Sequence, residues 1–331
     1  MKLEDFDYPL PKALIAQTPV EPRSASQLLV LNCKSQEIAH RRFSDIVEYL
    51  RSGDILVLND SRVIPAKIEG RKTTGGKVEL LLIKKVEDAW ECFIKGRNLQ
   101  PGKKLIFKEL EGRVIADLGL GRFIVKFNRE VSQELLAKIG SLPIPPYIKK
   151  ELSDKERYQT IYGRINGSLA STTAGLHFTA ELLKELELMG VNVVFITLHI
   201  GISTFMPVRS IEQHKMEGEY CRVQEETANI LNSAKGKIVA VGTSVVKALE
   251  SACINGKIQP FEGLTDLFIY PGYEFKAKID ALITNFHLPR STLLMLVCAY
   301  AGREKILRAY EQAIAQRYRF YSFGDAMLIL K

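Results

Sequence analysis

The sequence predicts an α/β fold, in which a discontinuous α/β domain is interrupted by a small inserted β-barrel. Three observations carry this expectation. Apolar, β-branched runs alternate with amphipathic helical stretches over 1–62 and 151–331, as in a sheet with helices packed on it. Residues 63–150 instead hold short β-rich runs punctuated by Gly75-Gly76, Pro101-Gly102, Gly112, and Gly119 to Gly121. The first strand of the outer pattern also stops at Asn59-Asp60-Ser61-Arg62, where the second texture begins. At 331 residues the chain has room for two domains.

In chain order, 54–58 reads as a buried strand. The inserted segment then offers strands at 77–84, 89–95, 104–108, 113–118 and 122–127, a short helix at 130–139, and a stiff exit at Pro143, Pro145 and Pro146. Beyond it, Thr179 is an N-cap with Glu181 in the first turn. Leu182, Leu183, Leu186 and Met189 recur at helical spacing, and Gly190 is a stop. Residues 191–200 form an apolar run suited to a strand covered on both faces. A helix at 224–233, strands at 237–241, 267–270 and 279–284, and a helix at 291–300 capped by Ser291 complete the alternation. No internal repeat or low-complexity tract is evident.

Charge is unevenly placed. The net charge is +8, and 63–150 holds 18 Lys and Arg against 10 Asp and Glu, so the remainder is balanced at 28 of each. A basic module beside a neutral one fits either a polyanion partner or a merely solvated basic surface. Five cysteines (Cys33, Cys92, Cys221, Cys253, Cys298) are scattered and never form Cys-x-x-Cys. That argues for a reducing cytosol and against a thiolate metal site. No His-x-x-x-His or Asp-rich metal loop is present, so no metal is expected. The start, Met1 to Asp7, interrupts any signal-peptide core. The longest apolar run, 293–299, is far short of the ~20 residues a membrane span needs, so a cytoplasmic location without a membrane is expected.

Polar residues gather at strand ends, where α/β proteins expose reactive groups. His177 precedes a helix start and His199 ends a strand; each is either a reactive group or a packed, hydrogen-bonded histidine. Asn59, Asp60 and Arg62 follow the first strand, and Gly201, Ser203 and Thr204 follow His199. Gly242, Thr243 and Ser244 join a strand to a helix and offer free N–H groups to an anion or ribose, or simply cap the helix. The run from Asn285 through His287 and Pro289 to Arg290 precedes the helix capped by Ser291. A histidine at that positive helix end is kept neutral. Arg290 either clamps a carboxylate or phosphate or pairs with a structural acid such as Asp266. Walker-type, dinucleotide-binding and Gly-x-Ser-x-Gly motifs are all missing.

Taken in order, these motifs resemble one family from end to end. They include Gly53 to Ala66, Gly75 to Glu79, Pro143 to Ile148, Tyr158 to Tyr162, and Thr173 to Phe178 with Gly175 inside it. They continue with Thr197 to Gly201, Val241 to Thr243, Phe268 to Gly272 including Tyr270, Asp280 to Pro289, and Tyr318 to Met327. The chain is similar to the S-adenosylmethionine:tRNA ribosyltransferase-isomerases of queuosine biosynthesis. The resemblance implies an α/β domain with an inserted barrel. It also implies transfer of the S-adenosylmethionine ribosyl group onto 7-aminomethyl-7-deazaguanine at the tRNA wobble position. Epoxyqueuosine, adenine and methionine would be the products, and S-adenosylmethionine a consumed co-substrate, with no further cofactor.

On this reading His177, His199 and His287 are the acid–base candidates, with Asp60 and Asp266 as reserve proton carriers. Substrate contacts are expected from Asn59, Arg62, Thr173, Gly175, Gly201, Thr204, Gly242, Thr243, Ser244, Tyr270, Asn285 and Arg290. Thr172, Ser203, Gln27 and the run Ser244-Val245-Val246-Lys247 depart from the residues usual in such sequences. A monomer is expected. The rival readings are a relative with altered substrate preference, a methyltransferase, and a non-catalytic tRNA-binding protein stacking bases on Phe93, Phe107, Phe123 and Phe127.

Overall fold

The computed structural model describes residues 1–202 and 208–331, so Ser203 and Thr204 lie outside the described residues. Two compact units emerge: Met1–Arg62, Pro145–Asn166 and Ser171–Lys331 form the larger, and Val63–Ile144 with Gly167–Ala170 the smaller. The C-terminal boundary of the insert thus falls at 144 rather than 150. Tyr147 explains the shift: its hydroxyl meets Ser322 Oγ at 2.6 Å, its carbonyl accepts from Gln17 Nε2 at 2.9 Å, and its ring packs on Tyr321. Residues 167–170 rejoin the smaller unit, where Ile64 N–H donates to the Ser168 carbonyl at 3.0 Å.

The larger unit is built on a nine-stranded sheet. Its order is Phe261–Thr265, Glu219–Val223, Asn192–Leu198, Ile55–Asn59, Ile238–Val241, Ala281–Asn285, Ala326–Leu330, Gln27–Asn32, Ile38–Arg42. The four strands from Asn192–Leu198 to Ala281–Asn285 run parallel. Three of them, Ile55–Asn59, Ile238–Val241 and Ala281–Asn285, are buried at every residue, as parallel strands covered on both faces must be. Leu56, Leu58, Val239, Val241 and Ile283 form the core with Phe43, Phe178 and Leu186 from above the sheet. Helix Ala180–Leu188 begins where Thr179 Oγ1 accepts from Leu182 N–H, and Thr292–Ala301 where Ser291 Oγ accepts from Leu294 N–H.

The expected strand at 267–270 is not one. The strand is Phe261–Thr265, a sheet edge paired antiparallel with Glu219–Val223, and 267–270 is left as irregular chain. Burial at this edge alternates rather than running continuously, so its apolar content is low and sequence reading slides past it.

The smaller unit is a closed six-stranded barrel. Strands Lys67–Lys72, Lys77–Val86, Ala89–Lys95, Arg122–Phe127, Glu111–Gly119 and Lys104–Phe107 follow one another, and the last pairs back to the first. The opening strand carries no strand pattern in the sequence, because Lys67–Lys72 offers one apolar residue, Ile68. Helix Gln133–Ile139 follows, with Ser132 as its cap. Phe107, Phe123 and Phe127 are at most 9% exposed, so these rings fill the barrel instead of presenting a stacking face. Lys and Arg side chains make the unit basic: 16 of them stand against 10 Asp and Glu within 63–144.

Candidate active site

The C-terminal ends of the parallel strands converge on one cleft of the larger unit. From Ile238–Val241 come Gly242, Thr243, Ser244 and, one turn into the helix, Lys247. From Ala281–Asn285 come Asn285 and His287, and from Asn192–Leu198 come Leu198 and Ile200. Thr172 and Thr173 line it as well, and Leu267, Phe268, Ile269 and Leu296 give it an apolar wall. This is the crevice outside the carboxyl ends of a parallel sheet where such folds bind ligands. Its free space, open solvent at the mouth included, is about 1040 Å³.

Gly242 makes the turn possible. Its φ of +93° is a conformation that side chains resist, and it takes the chain from the strand straight into helix Thr243–Ala252. Asn59, fully buried, supports that turn from behind. Its Nδ2 donates to the Leu198 carbonyl at 2.9 Å and to Ser244 Oγ at 3.2 Å, and its Oδ1 accepts from Ser61 and Leu198 N–H. Asn59 therefore joins two strand ends without lining the cleft.

The three histidines occupy different places. His287 lines the cleft: Nε2 lies 2.8 Å from Thr284 Oγ1, and Nδ1 has no protein partner among the described residues. Burial pushes its pKa down to about 3, so the imidazole is neutral. His177 sits one layer back. The Tyr321 carbonyl needs a donor, so Asn285 Nδ2 faces it at 3.1 Å, and the same amide group donates to His177 Nε2 at 3.3 Å. His177 Nδ1–H must then donate to Ser26 Oγ at 2.7 Å. Both ring nitrogens are spent, the ring stacks on Phe43, and burial drives the pKa down to about 3. His199 points away from the cleft, with Nδ1 at 2.7 Å from Ser61 Oγ and its ring on Tyr220. Burial lowers its pKa, partly opposed by Asp60.

The remaining expected residues divide in the same way. Asp60 is buried on another face, accepting from Thr197 Oγ1 at 2.7 Å and Arg164 Nε at 2.9 Å. Arg62 pairs with Glu156 at 2.6 Å, and Gly175 packs under the Tyr162 hydroxyl. Asp266 and Tyr270 are exposed and outside the cleft. Arg290 pairs with neither a cleft group nor Asp266; its guanidinium binds Asp7, and its N–H meets the Phe6 carbonyl at 3.0 Å, tying down the N-terminal segment. Gly201 is held by its N–H to Glu219 Oε1 at 2.8 Å.

Sequence reading missed Glu219 as a cleft residue. The signal was there: Glu219, Cys221 and Val223 alternate inward along a strand one place in from the sheet edge, and an acid on an apolar face is unusual. Its Oε2 lies 2.5 Å from Lys247 Nζ, with the two residues 3% and 6% exposed. Among the described residues, three polar atoms lining the cleft, Ser171 Oγ, Thr172 Oγ1 and Asn285 Oδ1, are buried without a hydrogen-bond partner. Among the described residues no helix is long and apolar enough to cross a membrane.

Comparison with known proteins agrees with this architecture. The profile of the queuosine biosynthesis protein family matches residues 3–329. A protein of Acetivibrio thermocellus named S-adenosylmethionine:tRNA ribosyltransferase-isomerase is 52% identical over 341 residues, covering 99% of this chain and 100% of its own length. One of the same name from Symbiobacterium thermophilum is 53% identical over 342 residues, with both chains fully covered. The crystal structure of S-adenosylmethionine tRNA ribosyltransferase from Thermotoga maritima superposes with a TM-score of 0.59 at 41% identity, over 98% of this chain and 100% of that one. Such agreement in sequence and fold, end to end, makes the chain an enzyme of the queuosine biosynthesis protein family, a transferase-isomerase.

Proposed function

We propose that the chain transfers and isomerises the ribosyl group of S-adenosylmethionine onto 7-aminomethyl-7-deazaguanine at the tRNA wobble position, giving epoxyqueuosine-tRNA, adenine and methionine. The single observation that carries this reading is the cleft at the sheet's carboxyl edge in a chain that matches named ribosyltransferase-isomerases over its whole length. S-adenosylmethionine is consumed, and no further cofactor enters the proposal.

The cleft's chemistry supports it. An apolar wall suits adenine and the thioether chain, while Asn285 Oδ1, Ser171 Oγ and Thr172 Oγ1, which have no partner among the described residues, offer polar contacts to a nucleoside. The sulfonium of the co-substrate acidifies the adjacent ribose methylene, so a weak base suffices to remove a proton there. His287 fills that role on this reading. With Nε2–H donating to Thr284, the Nδ1 lone pair is left for the cleft, and burial keeps the ring neutral and ready to accept. Departing adenine takes a proton, and a ribose oxygen closes the epoxide as methionine leaves. His177 acts through Asn285, whose amide it orients, and Asn59 acts through Ser244. The basic barrel supplies attraction for the tRNA phosphates.

The test incubates the protein with S-adenosylmethionine and tRNA carrying 7-aminomethyl-7-deazaguanine, followed by mass spectrometry of digested nucleosides and released bases. Epoxyqueuosine with tRNA-dependent adenine release is expected. S-adenosylhomocysteine in place of adenine would mark a methyltransferase, and tRNA binding without either product a non-catalytic module.

A further inference from the structure

Among the described residues, the cation lining the cleft is Lys247, not Arg290. Lys247 stands one turn beyond Thr243 on the same helix face, and both line the cleft. It is 6% exposed, and the only protein partner of its ammonium among the described residues is Glu219 Oε2. An ammonium has three N–H donors, so two remain unspent in a largely apolar space. Glu219 cannot swing away to serve another group, because its Oε1 is engaged by Gly201 N–H at 2.8 Å. A buried ion pair is a poor way to stabilise a fold, since hydrophobic residues of similar volume do as well or better. Here it does something a hydrophobic pair could not: it holds a cation in fixed position beside the Thr243 and Ser244 end of a ten-residue helix, where N–H groups point outward.

We propose that Lys247 anchors the α-carboxylate of the amino-acid end of the co-substrate, with Glu219 as the positioning residue that holds the ammonium in place. Lys247 Nζ and the first-turn N–H groups of helix Thr243–Ala252 together form the carboxylate subsite. This inference rests on the reading of S-adenosylmethionine as co-substrate and assigns which part of it the pair recognises.

Calorimetric titration of the full chain with S-adenosylmethionine and with its decarboxylated analogue, which keeps the amine and lacks the carboxylate, tests the subsite. The wild-type protein is expected to prefer the carboxylate ligand by about tenfold or more, the worth of a charge-assisted contact. Lys247→Met should bind both ligands alike, and Lys247→Arg should restore most of the preference. Glu219→Gln should shrink the preference without abolishing it. If Lys247→Met fails to fold, Lys247→Met with Glu219→Gln leaves no lone buried charge and should also bind both ligands alike. Equal affinities in the wild type, or a preference that survives removal of Lys247, would overturn the subsite while leaving the co-substrate reading intact. Binding of neither ligand by the wild type would overturn both.

Discussion

Acid should unfold the larger unit through two histidines. His177 and His287 each carry a pKa near 3 in the folded protein because burial opposes the charged ring, against an ordinary 6.5 when unfolded. Between those values the unfolded chain binds protons that the folded chain refuses. Stability is therefore complete above about pH 6.5 and falls as pH drops towards 3. The slope is about 1.4 kcal/mol per pH unit for each histidine, or roughly 3 kcal/mol each by pH 4. Two such losses approach the ~5–15 kcal/mol that holds a typical protein together, so unfolding near pH 4 is expected. Guanidinium unfolding followed by circular dichroism at pH 7, 6, 5 and 4 measures the slope. The sole tryptophan, Trp90, lies in the barrel and all five histidines lie in the larger unit, so fluorescence gives an internal control free of this loss. His177→Gln removes one site and should halve the histidine contribution. The reasoning is refuted if the ring-proton NMR signals of His177 and His287 titrate near pH 6.5 in the folded protein.

The cleft and its supports yield further expectations. His287→Ala should lower turnover by about 10²–10⁴-fold, with S-adenosylmethionine binding little changed, as single-turnover kinetics and calorimetry would show. His177→Gln keeps a group able to accept from Asn285 and should retain most activity, whereas Asn285→Leu should lose it; equal losses in both would count against the positioning role. Phe286 is fully buried among the rings of Tyr310, Tyr318 and Phe320, so Phe286→Ala should cost about 3–5 kcal/mol, read from the shift of the denaturation midpoint. Gly175→Ala places a carbon 2.0 Å from the Tyr162 hydroxyl and should cost about 1–3 kcal/mol in the same assay.

Strongly patterned elements are legible in the sequence itself. Thr179 and Ser291 cap their helices as expected, and the continuous apolar runs become the parallel core because period and burial are written locally. The insert was visible as a change of texture, but Lys67–Lys72 escaped notice because one apolar residue gives no pattern to read. The edge strand Phe261–Thr265 was displaced to 267–270 because an alternating edge looks less like a strand than the apolar irregular chain beside it.

For the site, local sequence determined which residues stand at strand ends, since loops there follow from where strands stop. Gly242, Thr243, Ser244, Asn285 and His287 accordingly meet in one cleft. Direction was another matter. Along a strand successive side chains face opposite ways, so His199 turns from the cleft that Leu198 and Ile200 line. His177 and Arg290 found partners more than a hundred residues away, in Asn285 and Asp7. The pairing of Lys247 with Glu219 likewise joins a helix to a sheet strand 28 residues earlier. Hydrogen bonds and ion pairs act over a few ångströms whatever the separation along the chain, so only the tertiary structure decided which of these groups faces a ligand and which holds the fold.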